Sequence, residues 1–145
     1  VLEFSGVWRD PGKFDDWLDT NRFILDQTAV REINSPLDKE TRIEGRVMIG
    51  SNCEIKRSLI RGPVIIGSGV KIIGSFVGPY SSIGDNCQLV NVRLENSILL
   101  REVVIENPGK DLDSCLIGQK SWISGNSRPR EAIELFIGNQ CFLKL

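Results

Sequence analysis

An aliphatic residue recurs about every six positions between Thr41 and Ile123, and this spacing predicts most of the fold. The early steps of 6, 6 and 5 residues repeat, so the pattern returns to its phase every 17 residues. Such a period is typical of a repeat architecture and not of a helix or a hairpin sheet. The aliphatic column contains Ile43, Ile49, Ile55, Ile60, Ile66, Ile72, Val77, Ile83, Leu89, Leu94, Leu99, Ile105, Ile117, Ile123, Ile137 and Leu143.

A second column stands two positions before the first, and fifteen of its sixteen members are Ser, Thr, Cys or Val. Residues i−2 and i on a strand point to the same side. We therefore expect both columns to face the interior of a triangular coil of three short strands, with successive coils paired as parallel strands. The small column contains Thr41, Val47, Cys53, Ser58, Val64, Val70, Ser75, Ser81, Cys87, Val92, Ser97, Val103, Cys115, Ser121, Leu135 and Cys141.

Two features modify the coil pattern. Glycine often follows the aliphatic residue, and we interpret these glycines as corner residues that supply unusual backbone angles. They are Gly50, Gly67, Gly78, Gly84, Gly118 and Gly138. The aliphatic column is interrupted between Ile105 and Ile117, where the segment 106–114 contains a Pro-Gly pair, Asp111 and Asp113. We expect a loop that leaves one corner of the coil there.

The ends of the chain do not follow the six-residue spacing. Residues 14–25 carry apolar side chains at helical intervals, with Asn21 on the same face, and predict an amphipathic helix. This helix needs a partner surface, in this chain or in another. Residues 29–40, which include Pro36, are expected to form an exposed linker. Residues 126–145 are expected to be a loop followed by strands that cap the stack.

Composition excludes several classes of protein. The 145 residues carry a net charge of −1 and are 41% hydrophobic, which is typical of an ordinary globular domain and not of a nucleic-acid binder or a disordered tail. No apolar run approaches the roughly 18 residues of a membrane span, and no signal-peptide pattern is visible, so we expect a cytoplasmic protein. The four cysteines all fall in the small column without a CxxC pair, which indicates buried thiols and no zinc site.

The six-residue unit, [Leu/Ile/Val]-Gly-x-x-[Ser/Thr/Ala/Val/Cys]-x, resembles the hexapeptide-repeat proteins over residues 41–125, with a return at 137–143. That resemblance implies the left-handed twist, which the spacing does not. The expected fold is mainly β: a left-handed parallel β-helix at 41–125, preceded by one N-terminal α-helix. Homotrimers are implied as well. The outward apolar residues that could form such an assembly are Leu59, Ile65, Ile73, Phe76, Val90, Ile98 and Leu100.

The segment VWRDPGKFDDWLDTNRFIL at 7–25 resembles the last part of the catalytic domain of sugar-1-phosphate nucleotidyltransferases, in which a Trp-x-Asp-x-Gly turn precedes a helix. Such a segment followed by hexapeptide coils is most similar to the long-form glucose-1-phosphate thymidylyltransferases. The resemblance implies that residues 1–28 are a strand and helix remnant of that domain and that Asp10 is a ligand of its catalytic Mg²⁺. Without the family, Asp10 is the first residue of an Asp-Pro-Gly turn. Pro11 stands where the family commonly has Thr or Val.

The family's Gly-x-Gly-Thr-Arg-Leu nucleotide loop does not occur in the sequence. We therefore expect no catalytic residue here, assign no substrate-binding residue, and expect an assembly or regulatory module that is inactive without its parent catalytic domain. Acyltransferases and zinc carbonic anhydrases share the hexapeptide repeat. The absence of histidine excludes the anhydrase. An acyltransferase that acts on an amino sugar without a His base, by another base or by backbone positioning alone, stays open.

Overall fold

The computed structural model describes residues 14–125 and 133–136, which contain one helix and seventeen short strands. They are α1 (Phe14–Thr28), β1 (Glu32–Ile33), β2 (Arg42–Glu44), β3 (Val47–Ile49), β4 (Glu54–Lys56), β5 (Leu59–Arg61), β6 (Val64–Ile66), β7 (Lys71–Ile73), β8 (Phe76–Val77), β9 (Ser81–Ile83), β10 (Gln88–Val90), β11 (Arg93–Glu95), β12 (Ile98–Leu99), β13 (Val104–Glu106), β14 (Leu112–Asp113), β15 (Leu116–Ile117), β16 (Trp122–Gly125) and β17 (Ile133–Phe136).

The strands form three sheets whose orders are β1-β3-β6-β9-β12-β15, β17-β16-β13-β10-β7-β4 and β14-β11-β8-β5-β2. Every third strand therefore returns to the same sheet, one coil further on. Among the described strands, all pairs are parallel except β16 with β17, which is antiparallel. The molecule is a parallel β-solenoid of about five turns and of the left-handed type, with a helix at its N-terminal side. The fold class predicted from the sequence is confirmed.

The two inward columns are also confirmed. Ile43, Ile60, Val77 and Leu94 follow one another in register along one sheet, as the 17-residue period requires. Small-column residues from Val47 to Ser121 are all buried, and Thr41 is half-buried. The column includes the buried side chains of Cys53, Cys87 and Cys115. Ile137, Cys141 and Leu143 of the two columns, together with Gly138, lie outside the described residues.

Serine hydroxyls link successive coils inside the stack. The Ser58 hydroxyl accepts a hydrogen bond from the Ser75 backbone N–H at 3.1 Å and donates to the Lys56 carbonyl at 2.7 Å. One coil further, the Ser75 hydroxyl accepts from the Val92 N–H at 3.1 Å and donates to the Ile73 carbonyl at 2.9 Å. Such bonds satisfy backbone groups that the turning chain leaves without a ladder partner.

The interpretation of the corner glycines is wrong. None of Gly50, Gly67, Gly78, Gly84 and Gly118 has a positive φ. The left-handed position is the residue just before most of the small inward residues, with Val47 and Val64 among the exceptions, and Asn often occupies it. Examples are Asn52, Tyr80, Asn86, Asn91, Asn96, Glu102, Ser114 and Lys120.

Glycine after the aliphatic residue serves the close approach of neighbouring coils. A Cβ at Gly84 would lie 2.7 Å from the Arg101 nitrogen and 2.8 Å from the Leu100 carbonyl carbon. These distances are shorter than van der Waals contact, so a side chain there would force the two coils apart.

The solenoid is more continuous than the spacing indicates. Leu112 is only 3% exposed and pairs with Leu94, so the aliphatic column continues through the apparent interruption. The corner before it is longer because Ile105 and Leu112 are seven positions apart, compared with five for Leu89 and Leu94.

The stack also begins earlier than residue 41. Strand β1, in the segment expected to be a linker, pairs with β3, and Leu37 bridges to Ile55. Ile33 and Leu37 pack against the core as partly buried side chains. The burial of these two residues explains why the segment joins the solenoid despite Pro36. Residues 126–132, the predicted connection before the capping strands, lie outside the described residues.

Candidate functional site at the helix and the three solenoid faces

The solenoid presents three faces with different chemistry. The helix-covered face is the outer surface of the sheet β1-β3-β6-β9-β12-β15, against which α1 packs. The apolar face, on the sheet that contains β7, β10, β13 and β16, carries Ile73, Val90, Val104 and Trp122. The arginine face, on the sheet that contains β2, β5, β8 and β11, carries Arg42, Arg61 and Arg93.

Helix α1 is held on the helix-covered face by apolar contacts. Leu18 is 5% exposed and packs with Ile98 and Leu116, which point outward from the sheet. Trp17 and Leu100 join this cluster as partly buried side chains. The partner surface that the amphipathic helix needs is therefore supplied by this chain, and burying Leu18 alone is worth about 2 kcal/mol.

Polar contacts fix the position of the helix along the solenoid. Asn21 is 4% exposed, donates from Nδ2 to the Tyr80 carbonyl at 3.1 Å, and accepts from the Ser82 hydroxyl at 2.6 Å. The Tyr80 hydroxyl donates to Asp26 Oδ1 at 3.0 Å, and the Arg22 guanidinium lies 4.5 Å from the Tyr80 ring centroid. Buried hydrogen bonds require defined geometry, so they select one position of α1.

The C-terminal end of α1 has its own anchor on the solenoid. Arg46 donates from Nη1 to the carbonyls of Asp26 at 3.1 Å and Ala29 at 3.3 Å. A cation there satisfies carbonyls that have no partner within the helix and complements the helix dipole. The Arg46 ion pair with the Asp26 carboxylate at 3.6 Å is about half exposed and adds little.

A cleft of about 580 Å³ lies between α1 and the solenoid. Its walls are mainly aliphatic and include Ile24, Ile65 and Leu100. Its two charged lining residues both hold neighbouring coils. Asp85 accepts from the Ser68 N–H at 2.9 Å, and Arg101 donates to Gln119 at 3.1 Å. The Ser82 hydroxyl also lines the cleft, but it donates to Asn21 and not to Asp85, so the lining contains no nucleophile paired with a base.

The predicted outward apolar residues are not on one common face. Ile98 is buried beneath α1, and Ile65 and Leu100 line the cleft. Leu59 and Phe76 lie on the arginine face. Only Ile73 and Val90 lie on the apolar face, together with half-buried Val104 and with Trp122, which is 47% exposed.

The sequence predicts no catalytic residue in this chain, and its one predicted metal ligand, Asp10, lies outside the described residues. Within residues 14–125, no cluster of three or more Cys, Asp or Glu side chains could hold a metal ion. Burial raises the pKa of the Cys87 thiol to about 11, so this thiol is protonated and unreactive near neutral pH. In the described part of the chain, no helix has the length and apolar character needed to cross a bilayer.

Sequence reasoning placed Asn21 on the buried face of the helix but missed its partners. Tyr80, Ser82 and Arg46 belong to no motif. The 17-residue period could have identified Ser82 as an outward residue of the helix-covered face, since Met48, Ile65 and Ser82 follow one another in register.

No family model matches this sequence. Relatives do. A glucose-1-phosphate thymidylyltransferase of Streptomyces antibioticus is 34% identical over 138 residues, which are 95% of this chain and 38% of the relative. Another of the same name, from Streptomyces griseus, is 30% identical over 135 residues, 93% of this chain and 38% of the relative. The low-salt glycan biosynthesis nucleotidyltransferase Agl11 of Haloferax volcanii is 34% identical over 144 residues, 97% of this chain and 40% of the relative.

The chain thus spans about two fifths of the length of the curated relatives it matches, and it corresponds to their C-terminal part. The resemblance stated from the sequence is confirmed. A solved structure of a GDP-perosamine N-acetyl transferase from Caulobacter crescentus aligns with 84% of this chain and 66% of its own, at a TM-score of 0.30 and 14% identity. That similarity is too weak to support a functional comparison.

Proposed function

We propose that this chain is the C-terminal assembly module of a sugar nucleotidyltransferase that joins a sugar 1-phosphate to a nucleoside triphosphate and releases pyrophosphate. The match of nearly the whole chain to the C-terminal part of relatives named glucose-1-phosphate thymidylyltransferase carries this proposal. We propose that the module is inactive alone, because the family's Gly-x-Gly-Thr-Arg-Leu nucleotide loop does not occur in its sequence. We also propose a cytoplasmic location, where phosphorylated sugars and nucleoside triphosphates are available.

The docked helix gives the module a mechanical role. Residues 1–28 resemble the end of a catalytic domain, and α1 is fixed to the solenoid by Leu18, Asn21 and Asp26. A catalytic domain that ends in this helix would have its orientation relative to the solenoid set by those contacts. In that domain Asp10 would be one carboxylate ligand of Mg²⁺, for which carboxylate oxygen is a suitable hard donor.

The apolar face supports the proposal of a homotrimer. Ile73 pairs in register with Val90, and Val104 with Trp122, so the four apolar side chains run diagonally across two neighbouring rows that also carry Lys71, Gln88 and Glu106. Exposed apolar patches of this kind mark interaction surfaces. Solenoids that pack three prisms side by side would bury the patch from each subunit.

Two measurements test the proposal. The complete protein is expected to release pyrophosphate from a sugar 1-phosphate and a nucleoside triphosphate with Mg²⁺, and this chain alone is expected to release none. Acyl transfer from acetyl-CoA to an amino sugar by this chain would instead establish the acyltransferase alternative.

Light scattering after size exclusion is expected to give a trimer for the chain and a smaller species for Val90→Lys. The matched control is Gln27→Lys, which adds the same charge at an exposed position of α1 and should remain a trimer. A wild-type monomer at micromolar concentration would contradict the assembly role.

A further inference from the structure

A groove of about 460 Å³ crosses the arginine face. The groove runs along the axis on which the coils stack. One outward row of the sheet lines it, and its consecutive members are Arg42, Leu59, Phe76 and Arg93. The row is bordered by the corner positions Arg57, Gly74 and Asn91, which also repeat every 17 residues. The groove therefore has an apolar centre, an arginine at each end, and a third arginine at its side.

The charge of the groove is unbalanced. Arg42, Arg57 and Arg93 line it, and Glu40 is the only carboxylate among its described lining residues; the Asp38 carboxylate lies beside it and accepts from the Arg57 backbone N–H at 3.1 Å. Within residues 14–125, the guanidinium groups of Arg42 and Arg57 have no ion pair or hydrogen bond, whereas Arg61 on the same face pairs with Glu44 at 2.8 Å. The Arg93 pair with Asp111, at 3.6 Å, is exposed on both sides and weak.

Phe76 prepares one of these cations for binding. The Arg93 guanidinium lies 4.3 Å from the Phe76 ring centroid, which is the geometry of a cation–π contact. An arginine that is already oriented loses less conformational entropy when it binds an anion. Its planar fork still has donors that point away from the ring and can bind phosphate oxygens in pairs.

The spacing of the arginines selects the class of anion. Arg42 and Arg57 lie on adjacent coils, about 5 Å apart along the stack, and Arg93 lies about 14 Å from Arg42 in the same direction. A single phosphate reaches only part of this row, whereas a compound with two or more linked phosphates can contact at least two guanidinium groups. We propose that this groove binds small molecules that carry two or more phosphate groups, a function separate from nucleotidyl transfer.

Calorimetric titration of this chain with inorganic pyrophosphate and with inorganic phosphate tests the proposal. We expect pyrophosphate to bind at least about tenfold more tightly than phosphate, because it engages two guanidinium groups. Its affinity should fall as NaCl is raised. Arg42→Gln and Arg57→Gln should each weaken pyrophosphate binding by about fivefold or more. Circular dichroism confirms that each variant is folded.

The matched control is Lys120→Gln, which removes one positive charge at an exposed corner residue with a positive φ, as at Arg57, but outside the groove lining. It should change the affinity by less than about twofold. Equal affinities for the two anions, no binding of pyrophosphate, or equal weakening by Lys120→Gln would each overturn the proposal. The titration involves no turnover, so the two proposals fail independently. Absence of pyrophosphate binding in the groove would not argue against pyrophosphate release by the complete protein, and absence of that activity would not argue against binding in the groove.

Discussion

Replacing one inward serine with alanine tests how far the coils depend on the hydroxyl links between them. In Ser75→Ala the Val92 N–H loses its acceptor at 3.1 Å inside the stack. The Ile73 carbonyl loses the serine as a donor but keeps the Asn91 N–H at 3.0 Å. The substitution therefore leaves one buried N–H without a partner and costs about 2 kcal/mol.

Ser81→Ala is the matched control because Ser81 is also a buried member of the small column. Its hydroxyl has no hydrogen-bond partner among the described residues. Removing a buried hydroxyl that makes no bond should be neutral or slightly stabilising. The two variants lose the same atom from the same kind of position, so their difference isolates the hydrogen bond.

Thermal unfolding followed by circular dichroism measures the difference. For a chain of this length, about 2 kcal/mol corresponds to a decrease in Tm of about 6 °C for Ser75→Ala. Hydrogen exchange of the Val92 amide should accelerate in the same variant. Equal Tm values for the two variants, or an unchanged Val92 exchange rate, would refute the role of the hydroxyl links.

Three further predictions concern the coils, the core thiol and the helix. Gly84→Ala should lower the unfolding free energy by at least about 2 kcal/mol, because its Cβ would clash with the backbone of the next coil. Its control, Gly109→Ala, lies in open space at a φ of +77° and should cost about 1 kcal/mol. Equal decreases in Tm for the two variants would contradict this distinction. The folded pKa of Cys87, about 11, lies above its ordinary value of about 9, so the folded protein keeps a proton that the unfolded chain loses. The unfolding free energy should thus fall by up to about 2 to 3 kcal/mol as the pH rises from about 9 to about 11. Urea titrations at several pH values should show that the unfolding free energy of Cys87→Val lacks this decrease with pH. A decrease equal to that of the parent chain would disprove the prediction. Leu18→Ala should lower the unfolding free energy by about 3 kcal/mol. It should also make α1 sensitive to limited proteolysis while the circular dichroism spectrum of the solenoid stays that of a β protein. Resistance to the protease equal to that of the parent chain would argue against the docking of α1.

The inward columns could be predicted because the interior of a narrow coil accepts few side chains. Leu112 could not, since two extra residues before it shift the spacing that identifies the column. The αL corner residues had a visible signal: Asn52, Asn86 and Asn96 each stand immediately before a small inward residue. Asn tolerates that conformation better than most residues.

The surface features required the structure. Arg42 and Arg93 are 51 positions apart, which is three 17-residue periods, so the period places them on one row; the groove between them and the position of Arg57 beside it required the structure. The position of α1 depends on contacts between Asn21 and residues about 60 positions later, which no local pattern encodes.

The distance along the chain between α1 and its partners has a consequence for synthesis on the ribosome. The helix leaves the exit tunnel long before Ser82, Ile98 and Leu116 are translated, so its apolar side has no cover while the first coils form. Chains that end before β12 should therefore expose this side to chaperones, and nascent chains that include β15 should release them.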